Sequence, residues 1–141
     1  MTAANIVPEA SVSDVIELSI PVESDLLVLV RLTAAAVASR ADFDIEEIED
    51  LRLAVDELCL SVLSGRTRGR LHLTFLGLPE EIEVSCLYEG DQQPVAAHHE
   101  LGEIDDLSVR ILDALVDSHG VRSVEGRGGA WLRKQRARRQ D

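Results

Sequence analysis

ELSIPVESDLLVLVRLTAAAVASRADFDIEEIEDLRLAVDELCLSVL, residues 17–63, decides the architecture. Its second half is the clearest helix in the chain. Ile48, Leu51, Val55, Leu58 and Val62 recur at steps of three and four, one face of a 3.6-residue period, over about 45–64. Asp44 and Glu47 have capping-box spacing at its start, and Gly65 stops it. Its first half opens on an alternating run, VIELSI at 15–20, which places Ile16, Leu18 and Ile20 on one side of a half-buried strand ended by Pro21. Ser24 is positioned as an N-cap for DLLVLVRLTAAAVASR, where Leu26, Leu29, Val30, Thr33 and Val37 are expected inside. Two helices therefore follow the first strand before a second one begins, which excludes a doubly wound fold.

Beyond this stretch, RLHLTFL (70–76) and IEVSCLY (82–88) alternate again, with GLPEE between them as a hairpin connection. Residues 89–103 are polar and turn-rich and read as a loop. A third helix is expected over 104–118, with Ile104, Leu107, Ile111, Leu112 and Leu115 inside, Asp105 and Asp106 near its start, and Gly120 as its cap. Two short strands near 121–125 and 129–134, joined by GRGG, finish the chain. The order β-α-α-β-β-α-β-β describes an α/β (α+β) two-layer sandwich, a mixed, mostly antiparallel sheet with three helices on one face. We expect a flexible N-terminus over 1–14, one domain over 15–135 and a basic tail over 136–141.

With 141 residues, 45% hydrophobic and 28% charged, the chain can bury a core. No apolar run reaches a membrane span and no secretory signal opens the chain, so neither membrane nor export is expected. The net charge of −12 is unevenly spread: residues 119–141 carry +5 and residues 1–118 carry −17. Direct DNA binding is not expected of so acidic a body. The charge would instead attract a basic partner, or serve solubility. Cys59 and Cys86 lie in apolar-periodic segments without a CxxC neighbour and read as buried small hydrophobes of a reducing cytoplasm. His98, His99 and Glu100 lack the spacing that converges on one ion, so no metal site is expected.

Residues 17–63, with the terminal GGAWLRK, resemble the RsbW and SpoIIAB type of anti-sigma factor, of the histidine-kinase-like (GHKL) ATPase superfamily with the Bergerat fold. The resemblance covers roughly 15–135 and is strongest over the two helices. It implies a general base and a magnesium-holding Asn in an E-x-x-x-N box; Glu57 matches the first and Ser61 stands at the second. A D-x-G-x-G box that reads adenine corresponds to CLYEGDQQP, where Gly90 matches one glycine and no Asp ends the strand. The glycines of a third, phosphate-binding box fall on Asp106 and Ser108. Glu57, Ser61, Gly90, Asp106 and Ser108 are thus the candidate nucleotide positions, with no cofactor or only weak Mg-ATP binding expected. Arg31 matches the partner-contacting Arg of the first helix and is expected to point to solvent as an isolated donor.

The resemblance implies a cytoplasmic stress-response regulator. It would sequester an alternative RNA-polymerase sigma factor, be released by a STAS-domain anti-anti-sigma partner, and form a homodimer through its first strand and helix. An active serine kinase acting on that partner, with Glu57 as base, is the alternative. A non-catalytic scaffold of the same fold is a third reading. A chain that is itself a STAS-type antagonist is disfavoured by the helix–helix run after the first strand.

Overall fold

A computed structural model of the chain describes residues 14–94 and 106–137. The 1–13 segment, the tail from 138 and the stretch 95–105, with His98, His99, Glu100 and Ile104, lie outside the described residues. The elements are β1 (Asp14–Pro21), α1 (Leu27–Arg40), α2 (Ile45–Leu63), β2 (Arg70–Leu78), β3 (Glu81–Glu89), α3 (Asp106–Leu115), β4 (Ser118–Val124) and β5 (Arg127–Gln135), with a 3-10 turn at Ser24–Leu26. The architecture is α+β. The five strands run β1-β2-β3-β5-β4 across the sheet, and every pairing is antiparallel rather than mixed.

The register makes one face of the sheet apolar. Ile20 opposes Leu71, which opposes Tyr88; Ile16 opposes Phe75, then Val84, then Leu132. Alternation carries all of these to the side covered by the helices. There Leu51, Ala54, Val55, Leu58, Cys59 and Val62 of α2 join them in a single core.

Local chemistry explains the ends of α2. Asp44 accepts from the Glu47 amide at 2.8 Å and Glu47 accepts from the Asp44 amide at 2.7 Å, so both halves of the capping box are made. At the other end Ser64 takes a left-handed conformation, and Gly65 follows with φ +82°.

Four expectations are corrected. Ser24 caps nothing with its side chain; it opens the 3-10 turn, and α1 starts three residues later. That delay rotates the buried face of α1 onto Leu27, Val30, Ala34, Val37 and Ala38, leaving Leu29 exposed and Thr33 only half-buried. The alanines let the two helix backbones approach closely. Leu107 is exposed, and Ser108 takes the inward place beside Leu112. Gly120 is no helix cap: it lies in β4 opposite Trp131, and a Cβ there would come 2.9 Å from the indole nitrogen. The indole therefore lies across a position that only glycine leaves clear.

The turns are also tighter than the spacing suggested. Leu78 pairs with Glu81, so Pro79 and Glu80 alone connect β2 to β3, with Glu80 at φ +63°. Val124 pairs with Arg127, so Glu125 and Gly126 turn β4 into β5, both at positive φ.

Candidate functional site

Glu57 sits on the half-buried side of α2, and α3 packs beside it. The Ser108 hydroxyl donates to Glu57 Oε2 at 2.5 Å, a contact between residues 51 apart in the chain. Ser108 is 7% exposed and Glu57 half-buried, so this hydrogen bond is part-buried. Ser61 lies one helical turn beyond Glu57 on the same side, half-buried. Asp106 is the first residue of α3 and is exposed, with its carboxylate at the positive end of the helix. Asp106 and Arg110 each lie about 200° round the helix from Ser108, four residues apart on the same side of α3. The structure thus brings Glu57 and Ser108 into contact, with Ser61 and Asp106 on the same two helices.

Gly90 is engaged differently. A Cβ on it would fall 2.4 Å from the Tyr88 hydroxyl, so its role is to make room for that ring. The Tyr88 hydroxyl donates to the Arg68 carbonyl at 2.7 Å. The Arg66 guanidinium lies 4.1 Å from the centre of the Tyr88 ring. Arg66 also donates to the Val62 carbonyl at 2.7 Å, at the negative end of α2, and to the Gln92 carbonyl at 3.0 Å. The Gln92 side chain accepts from the amides of Thr67 and Arg68 at 2.7 and 2.9 Å. Sequence reasoning missed Arg66, Tyr88 and Gln92. Tyr88 carried a signal, since a tyrosine on the inward side of a strand needs a partner for its hydroxyl. Gln92 carried none.

Arg31 is not an isolated donor. Its Nη1 donates to Asp56 Oδ1 at 2.8 Å, bridging α1 and α2, with the two side chains 34% and 31% exposed. Around this ion pair, Val28 and Leu32 of α1 and Leu53 and Leu60 of α2 are exposed. Val28, Leu53 and Leu60 lie three or four residues from Arg31 or Asp56, so helical spacing sets them beside the pair, and Leu32 lies one turn beyond Val28.

The two cysteines are buried, and a hydrogen bond with Cys86 together with burial pushes the Cys59 thiol well above its ordinary pKa. A protonated, enclosed thiol is a packing group, not a nucleophile. Among the described residues no group of three His, Cys, Asp or Glu is placed to hold a metal ion. Among them, too, no helix is long and apolar enough to cross a membrane. A polar depression of about 600 Å³ lies at the other end of α2, lined among others by Glu47, Glu80, Asp117, Lys134 and Arg136. Glu47 is ten residues ahead of Glu57, about 15 Å along the helix, so this depression is separate from the Glu57–Ser108 contact.

No family model matches the chain. Among curated proteins it is similar to the serine-protein kinase RsbW of Bacillus velezensis, with 30% identity over 129 residues that cover 80% of this chain and 81% of the relative. The serine-protein kinase RsbW of Bacillus subtilis is 28% identical over 130 residues, covering 81% of each chain. A shorter match, to the serine-protein kinase RsbW of Bacillus cereus, reaches 38% identity over 78 residues, 53% of this chain and 49% of that one.

Proposed function

The chain belongs to the RsbW family of serine-protein kinases, and from that premise we propose that it acts as an anti-sigma factor. It binds an alternative RNA-polymerase sigma factor and yields it to a STAS-domain anti-anti-sigma protein that competes for the same surface. The observation that carries this reading is the set of exposed apolar side chains on α1 and α2, in which Val28, Leu53 and Leu60 lie one turn from the Arg31–Asp56 pair and Leu32 one turn from Val28. Exposed aliphatic side chains around a part-buried charged centre are what a protein partner desolvates. The −17 carried by residues 1–118 supports a basic partner.

The same reading takes the sandwich as the Bergerat fold and places the chain in the cytoplasm, with its partner. It adds a homodimer formed through β1 and α1. Support for the dimer is that β1 is an edge strand of the sheet and Val15 on it is exposed.

The test is affinity purification of the tagged full-length chain without added nucleotide, with mass spectrometry of what is retained. A sigma factor in stoichiometric amount, displaced by its STAS-domain antagonist, is the expected result. Absence of any sigma factor overturns the proposal.

A second reading, an active serine kinase that phosphorylates the antagonist, is favoured by the presence of Glu57 at the general-base position and by the name of the relatives. Transfer of labelled phosphate from Mg-ATP to the antagonist, lost in Glu57→Ala, would select it.

A further inference from the structure

Nucleotide is implied by the family, and the residues on this face do not suit it. A triphosphate site on a helix N-terminus needs clear backbone amides and no competing negative charge. Here the first turn of α3 carries Asp106, and its inward side is filled by Ser108. The Ser108 hydroxyl is spent on Glu57, the carboxylate that the family's chemistry would need free. A hydroxyl donating to a carboxylate is among the stronger hydrogen bonds, and the burial of Ser108 limits the access of water to its donor.

We propose that Ser108 is the residue that closes this face to nucleoside triphosphates. Its hydroxyl takes the Glu57 oxygen and its side chain occupies the inward side of the first turn of α3. The protein itself thereby holds α3 on α2, with no bound nucleotide needed to bridge them. Asp106 reinforces the closure. A carboxylate at the positive end of the helix competes with an incoming phosphate for the same backbone amides. Arg110, four residues on, lies on Asp106's side of the helix and offsets part of that charge, so the closure rests chiefly on Ser108. The proposal deepens the anti-sigma reading, and rests on it only in taking this face as the family's nucleotide face. It explains how the fold can serve as a binding protein independent of nucleotide.

The experiment is calorimetric titration of the full-length protein with Mg-ATP. It compares the wild type, Ser108→Ala, Ser108→Gly and the double variant Ser108→Gly/Asp106→Asn. The wild type is expected to show no saturable heat up to about 1 mM, and the double variant a dissociation constant at least about tenfold lower. Should the glycine variants lose helical circular dichroism, Ser108→Ala decides the matter, because it removes only the hydroxyl and keeps helix propensity; it should still bind Mg-ATP measurably more tightly than the wild type. Saturable micromolar binding by the wild type overturns the proposal, as does a folded variant set with unchanged affinity. Sigma-factor capture without nucleotide is scored separately, so failure here and failure of the anti-sigma reading are told apart.

Discussion

Arg31 and Asp56, 25 residues apart, tie α1 to α2 through one hydrogen bond of 2.8 Å from Nη1 to Oδ1. The guanidinium is therefore held in place before any partner arrives, with its Nε edge still able to donate. Truncating Arg31 removes an intramolecular bond as well as a surface donor, and the two effects can be measured apart.

Arg31→Ala should cost about 0.5–1 kcal/mol of stability, because a pair one-third exposed is strongly screened. The same variant should weaken sigma-factor and antagonist binding by about tenfold or more, as loss of an interfacial charge contact does. Asp56→Asn should match the stability loss and change affinity by less than about threefold. Thermal melts and calorimetry read both quantities. Equal affinity losses in the two variants would mean that the pair acts by packing α1 on α2, not through contact of Arg31 with the partner.

Association with the sigma factor should slow as salt rises. Between about 0.05 and 0.5 M the Debye length falls from roughly 14 to 4 Å, shorter than the reach of a −17 body. Stopped-flow on-rates across that range are the measurement, and a flat profile would leave the acidic charge a solubility device.

The capping box gives a graded pair of variants. Asp44→Ala removes one cap and should cost about 1 kcal/mol. Glu47 is 8% exposed and also accepts from the Ala137 amide at 2.5 Å, so it holds the chain after β5 as well as the start of α2. Glu47→Ala should therefore cost more, about 2–3 kcal/mol. Urea unfolding of both variants checks the order; equal losses would show that the Ala137 contact contributes nothing.

Two adjacent glycines in β5 should behave oppositely. A Cβ on Gly129 would lie 2.2 Å from the Cys86 carbonyl oxygen, whereas one on Gly128 meets open space. Gly129→Ala should lose about 1–3 kcal/mol or more through forced separation of β3 and β5. Gly128→Ala should stay within about 0.5 kcal/mol of the wild type. Denaturant midpoints of the two variants decide it.

Acid should release the tie between β1 and α1. Side-chain hydrogen bonds from Arg40, at 3.1 and 3.2 Å, hold the Asp14 carboxyl below its ordinary pKa. A depressed folded pKa stabilises the protein above the unfolded value, about 3.9, and that contribution fades as pH falls through the lower folded value. The stability difference between wild type and Arg40→Gln should thus be constant from neutral pH down to about 5 and shrink below about 4. A difference that persists unchanged at about pH 2 would show that the carboxylate is not its source.

Features that depend on residues within a turn or two of one another were legible in the amino-acid chain alone. The capping box at Asp44 and Glu47 is closed by a chain of four residues. Leu51, Val55, Leu58 and Val62 all proved buried, because a 3.6-residue period marks one helix face whatever lies opposite. The alternation of Leu71, Leu73 and Phe75, and of Ile82, Val84 and Cys86, placed both strands inward-side down for the same reason.

Contacts between distant residues were settled by the folded chain. In α1 apolar residues lie nearly all round, so the sequence held no strong preference between Leu29 and Ala34; close packing against α2 chose the small side chain. Ser108 meets Glu57 across 51 residues, Arg31 meets Asp56 across 25, and Gly120 clears a path for Trp131 across a strand pair. Helix rotation and strand register set such contacts. Both are fixed by how the whole core packs, a constraint shared among distant residues and invisible within any short window of sequence.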